Sequence, residues 1–187
     1  RANLELLRET EAAWITALKA PQVKKLVKDG ALQLSLFDQH NLAEITSDDY
    51  PGERLVVCRN PLVAQERSRK RDDLLQATER ALCEITKRVN QGTLSGAAEI
   101  GLAVGPQLKR WRVGKHFEIE ITDTSFAFHR RQHEIAAEAA LDGIYVLRTS
   151  VADTDLEAPA VVRAYKQLKE VEKAFRTKIE QFKGLKL

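Results

Sequence analysis

The chain has 187 residues, of which 43% are hydrophobic and 30% charged, a balance that fits one cored, water-soluble domain or one and a half. No apolar run approaches the roughly 18 residues that a membrane helix needs, and nothing resembles a signal peptide. The net charge of +3 is too small to imply an anionic partner by itself. Its distribution is uneven, however. Residues 61–115 hold eleven basic and six acidic side chains, a local net of +5, while the segments on either side each come to −1. The surplus gathers in "RSRKR" (Arg67 to Arg71) and "KRWRVGK" (Lys109 to Lys115). Such clusters suit phosphate neutralisation, although a solvated helix face produces the same pattern.

In chain order, "NLELLRETE" (3–11) reads as helix, and "AAWITALKA" (12–20) reads as a short buried strand. Pro21 and Gly30 bracket a short helix. "ALQLSLF" alternates Leu32, Leu34 and Leu36 with polar partners, which predicts a half-buried strand. The Pro51-Gly52 turn leads into a strand from Arg54 to Arg59. Asn60-Pro61 opens a helix over 61–89, with Leu75, Leu82 and Val89 recurring at seven and Leu74, Ala81 and Ile85 beside them. Gly92, Gly96 and Gly101 punctuate a looser stretch as far as Gly105-Pro106.

"HFEIEITDTSFAFHR" predicts a β-hairpin over 116–130, turning near Asp123. "HEIAAEAAL" reads as helix, and Asp142-Gly143 as a turn before a buried strand, Ile144 to Thr149. An acidic loop then runs to Pro159, which opens the last helix. The fold class is therefore mixed α+β. Cys58 and Cys83 have no CxxC spacing, which favours two free thiols over a disulfide. His129 and His133 stand four apart with Glu134 beside them, a zinc-like spacing that lacks a third ligand. Trp111, between Arg110 and Arg112, reads either as a packed core residue or as a stacking surface for an unpaired base.

In "AYKQLKEVEKAFRTK" (164–178), Ala160, Ala164, Leu168, Val171 and Phe175 define the expected buried stripe, with Glu172 at its margin. Glu172 then has two readings: an exposed i,i+4 partner of Arg176, or a carboxylate aimed into a site beside a sheet. "DGIYVLRTS" and the segment "APAVVRAYKQLKEVEKAFRTK" resemble the C-terminal signature of bacterial insertion-sequence transposases of the DDE superfamily. Their pattern Y-x2-R-x3-E-x6-K lies on the helix that supplies the third acidic residue. Tyr165 and Glu172 match it; the arginine position holds Leu168, and the lysine position holds Ile179, with Lys178 one residue early. "DGALQLSLFD", "ITSDDYPGERLVVCRNPLVAQERSRKRDDLL" and "IGLAVGPQLKRWRVGKHFEIEI" resemble the segment that one subgroup inserts before the catalytic glutamate, so the likeness spans about residues 1–178.

The resemblance implies a partial RNase H-like core interrupted by an insertion. Residues 1–20 would be the end of that core, 21–150 the insertion, and 151–187 the acidic loop and catalytic helix. It implies Mg²⁺, or Mn²⁺, as cofactor and Glu172 as catalytic metal ligand. Tyr165, Arg176 and Lys178 would contact DNA, and so would Arg67, Arg69, Lys70, Arg71, Lys109, Arg110, Trp111 and Arg112 of the insert. The implied partners are double-stranded DNA at the transposon ends and target, and a second copy in a homodimer. The implied location is the bacterial cytoplasm, at the nucleoid when bound to DNA.

The first two catalytic aspartates of that family are expected upstream of Arg1, and the sequence contains no methionine. The chain is therefore expected to be a piece of a longer protein, inactive by itself and with an unpartnered first strand. A non-catalytic nucleic-acid-binding or assembly module, formed by the helical insert alone, is the alternative.

Overall fold

The computed structural model describes residues 12–168. It is an α+β protein of two compact units, one made of residues 1–60 and 144–187 and the other of residues 61–143. The predicted helix over residues 3–11 lies outside the described residues.

The first unit is built on a four-stranded antiparallel sheet. Its strands are β1 (Ile15–Ala17), β2 (Leu42–Ile45), β3 (Arg54–Arg59) and β6 (Ile144–Thr149), in spatial order β1-β6-β3-β2. The apolar run Leu55 to Cys58 is buried at every position because both faces of the sheet are covered. On one face Leu55, Val57, Ile144 and Val146 meet Val23 and Leu26 of α1 (Ala20–Lys28). On the other, Val56, Cys58 and Leu147 meet Val161 of the last helix, α5, which is described over residues 158–168. Alternate side chains of one strand thus serve two layers.

Register explains the connectivity. Arg59 pairs with Ile144, so β3 and β6 stand as the two arms of a hairpin whose tip is replaced by residues 60–143. On the far side of β6, Ile15 pairs with Thr149. β1 is therefore not the unpartnered strand that the sequence suggested: β6 supplies its neighbour, and its other edge pairs with no described strand.

The second unit is a continuous stretch. α2 (Pro61–Asn90) buries Leu75, Leu82, Ile85 and Val89, the stripe that sequence periodicity predicts. α3 (Ala97–Arg110) places Ile100 and Val104 in the same cluster, together with Phe117 and Phe126 from the hairpin β4 (Phe117–Ile121) and β5 (Phe126–Arg130). α4 (Gln132–Ala139) adds Ile135 at the margin.

Three expectations need correction. "ALQLSLF" is not a strand. Residues Leu34–Phe37 form a 3₁₀ turn that buries Leu32 and Phe37, while the adjacent sheet edge is taken by β2, which the sequence did not reveal. The glycine-punctuated stretch after residue 96 is a helix. Asp123 secures its start, accepting the Gly96 N–H on its carbonyl (2.7 Å) and the Ala97 N–H on its carboxylate (3.0 Å). A Cβ added at Gly101 or Gly105 would meet no atom within 4 Å, so close packing does not require these glycines. Finally, the chain divides at residues 60/61 and 143/144, and not at 21 and 150: residues 21–60 share the sheet with β1. Among the described residues no helix is long and apolar enough to cross a membrane.

Candidate catalytic helix and basic surfaces

α5 meets the sheet through Ala158, Val161, Val162 and Tyr165. Val161 is fully buried, whereas Leu168, expected on the buried stripe, is 52% exposed. The sheet-facing line is therefore rotated towards Tyr165. Glu172, Arg176 and Lys178 lie outside the described residues.

Beneath Tyr165 are Cys58 and Tyr145, directly paired across β3 and β6. Burial pushes the Cys58 thiol up, with the neighbouring Tyr145 hydroxyl and the Lys166 charge opposing it. Burial, then the neighbouring thiol, then the Tyr165 hydroxyl also push Tyr145 up. Both groups therefore remain protonated at neutral pH. A protonated thiol is a poor nucleophile, so this face positions and packs without supplying covalent chemistry. Tyr145 escaped the sequence reading; its only signal was its place in the alternating strand "IYVLRT".

The surroundings of Tyr165 also bear on a metal. A hard divalent cation needs several carboxylate or carbonyl oxygens. Tyr145, Cys58 and the aliphatic side chains that pack with Tyr165 supply no carboxylate. Among the described residues no three His, Cys, Asp or Glu side chains come together in a metal-binding arrangement. His129, His133 and Glu134 are exposed. Both cysteines are free, Cys58 buried and Cys83 exposed.

The basic clusters resolve into different kinds of side chain. Arg67, Arg69 and Lys70 are exposed on α2. Arg71 departs from the predicted DNA-contact set: it is buried and bonded through Nη2 to Asp142 Oδ2 at 2.5 Å. Its position on α2 is four before Leu75, on the core-facing stripe, so the helix turns it inward. Asp142 thus has a partner as well as its turn role before Gly143, whose φ is 74°.

Lys109, Arg110 and Arg112 are exposed at the end of α3 and just beyond it. Arg112 has a left-handed backbone, φ 59°. Trp111 is half-buried against the core of the unit, and the Arg110 guanidinium stacks on it, 4.7 Å from the ring centroid. Packing therefore accounts for much of Trp111, and one ring face is already occupied by a cation.

Sequence reading missed His116 as well. It is buried, with Nε2 3.2 Å from Glu138 Oε2 and with Nδ1 buried and unbonded. Lys115 pairs with the same carboxylate.

Comparison with protein-family models, with curated proteins and with solved structures finds no match to this chain.

Proposed function

We propose that this chain is the C-terminal part of a DDE-type transposase. On this reading the full-length protein uses Mg²⁺ to cleave and transfer DNA strands at the ends of an insertion sequence. The single observation that carries the reading is the orientation of α5. Tyr165 packs against the sheet on the described part of α5, and it stands seven residues before Glu172, the spacing of the tyrosine and glutamate in the transposase pattern.

The likeness of residues 1–178 to the insertion-sequence transposases gives this spacing its chemical meaning. The edge of β1 that pairs with no described strand is where a preceding strand of an RNase H-like core would add. On this reading Glu172 would complete a carboxylate set with two aspartates expected from the rest of the protein. By itself the chain is expected to be inactive. The decisive experiment uses the full-length protein. Glu172→Gln should abolish Mg²⁺-dependent cleavage at the element ends while leaving end binding intact, and wild-type cleavage by that variant would refute the proposal.

A second reading is favoured by one specific observation. Residues 61–143 form a compact unit with its own core and carry exposed Arg67, Arg69, Lys70, Lys109, Arg110 and Arg112. Such a unit has the makings of a nucleic-acid-binding or assembly module. If it acts only in this way, DNA binding falls with rising salt and no cleavage accompanies it.

A further inference from the structure

The loop that leads from β6 into α5 is fastened on two sides. On the β1 side, the Thr149 hydroxyl donates to the Trp14 carbonyl (2.6 Å) and accepts from the Val151 N–H (3.1 Å). The Trp14 N–H donates to Ser150 Oγ (3.1 Å). On the β2 side, the fastening is a single side chain, Arg54, at the start of β3. Its Nη1 donates to the carbonyls of Val151 (3.2 Å) and Leu156 (2.8 Å). Its Nε and Nη2 fork onto Glu44 of β2 (3.0 and 2.5 Å).

The two carbonyls bracket the turn in which the Asp155 and Leu156 N–H groups bond to Ala152 O. Leu156 also buries part of its side chain against the cluster beneath α5. The first helical bonds follow at once, from Ala160 and Val161 N–H to Glu157 O. One planar guanidinium, 17% exposed, thus joins an edge strand to the base of the helix. A lysine has a single ammonium and cannot span these acceptors in a fixed plane.

We infer that Arg54 is a positioning residue that sets the angle at which α5 leaves the sheet. The inference rests on the strand-cleavage reading of Glu172. The described part of α5, residues 158–168, spans about 16 Å, so a tilt of about 10° at its base moves its far end by about 3 Å. Reacting groups tolerate about 1 Å of misplacement before rates fall steeply. Holding the base of α5 is therefore a requirement of the proposed chemistry, although Arg54 touches no reacting atom.

The test uses the full-length protein with Arg54→Gln, Arg54→Lys and Glu44→Gln. Arg54→Gln should slow Mg²⁺-dependent end cleavage by at least about tenfold, keep the end-DNA Kd within about twofold, and speed amide exchange over residues 156–161 but not over 61–143. Arg54→Lys should not restore cleavage. Wild-type cleavage by Arg54→Gln would overturn the inference. So would a loss of cleavage with unchanged exchange at 156–161, or with a parallel loss of DNA binding. Should Arg54→Gln fail to fold, Glu44→Gln decides, because it keeps both carbonyl contacts and removes the charge and one acceptor of the fork. Slower cleavage together with faster exchange at 156–161 upholds the inference, and wild-type behaviour in both measurements overturns it. The two proposals fail separately. Wild-type cleavage by Glu172→Gln sinks the strand-cleavage reading, whereas wild-type cleavage by Arg54→Gln in a protein that needs Glu172 sinks only the positioning role.

Discussion

Residues 61–143 fold as one uninterrupted stretch, whereas the sheet unit closes between Trp14 and Thr149, 135 positions apart in the chain. The contiguous unit builds its core from helices and a hairpin that follow one another, and its bond from Arg71 to Asp142 closes 71 positions. The sheet unit must bring β1 and β6 together across the whole intervening chain. Entropy of loop closure grows only slowly with length, and the hairpin register of β3 and β6 shortens the effective loop once the insert has folded. The comparison teaches that the inserted unit is a bridge in the chain between the paired strands β3 and β6.

The largest test of that view removes the bridge. Replacing residues 61–143 by an Asn-Gly turn between Asn60 and Ile144 should leave a protein that retains the sheet and unfolds cooperatively, as followed by circular dichroism. Loss of all cooperative structure would mean that the two units stabilise each other.

Core truncation is the next largest effect. Leu82→Ala and Leu147→Ala each empty a fully buried site, one in each unit, and should cost about 2–5 kcal/mol. Amide exchange should rise for residues 61–143 in the first variant and for the sheet strands in the second. Exchange that rises throughout the chain in both variants would erase the distinction between the units.

A smaller and one-sided effect comes from pH. Burial lowers the pKa of His116, with the charges of Lys115 and Arg71 acting in the same direction and those of Glu138 and Glu134 opposing. The native state therefore binds fewer protons than the unfolded chain at pH values between the lowered pKa and the ordinary histidine value of about 6.5. The contribution of neutral His116 is complete above that value and is lost as pH falls through the window, by at most about 1.4 kcal/mol per pH unit. His116→Phe should flatten this slope in the unfolding of residues 61–143 and leave the sheet unit unchanged. An unaltered slope would assign it to other groups.

How much was legible in the sequence differs between the units for physical reasons. The stripe Leu75, Leu82, Val89 announced α2 because a long helix repeats its pattern many times over. The hairpin was equally plain from Phe117, Ile119 and Ile121 alternating against Phe126 and Phe128. α3 was hidden, since its start depends on Asp123, a residue 26 positions away from the Ala97 that it caps. "ALQLSLF" carried a strand pattern but folds around a 3₁₀ turn that buries Leu32 and Phe37, and an alternation of three leucines does not overrule such packing. Arg71 looked like its exposed neighbours Arg69 and Lys70. Only the direction of the helix turned it inward to Asp142.

The same division applies to the candidate site. Sequence alone determined the seven-residue spacing of Tyr165 and Glu172. It also determined the mixed α+β class, through the two hydrophobic periods written along the chain. Only the tertiary structure decided which line of α5 faces the sheet, that Cys58 and Tyr145 lie beneath it, and that Arg54 fastens its base. Those facts depend on strand register and on partners 97 and 102 residues away, which no local pattern encodes.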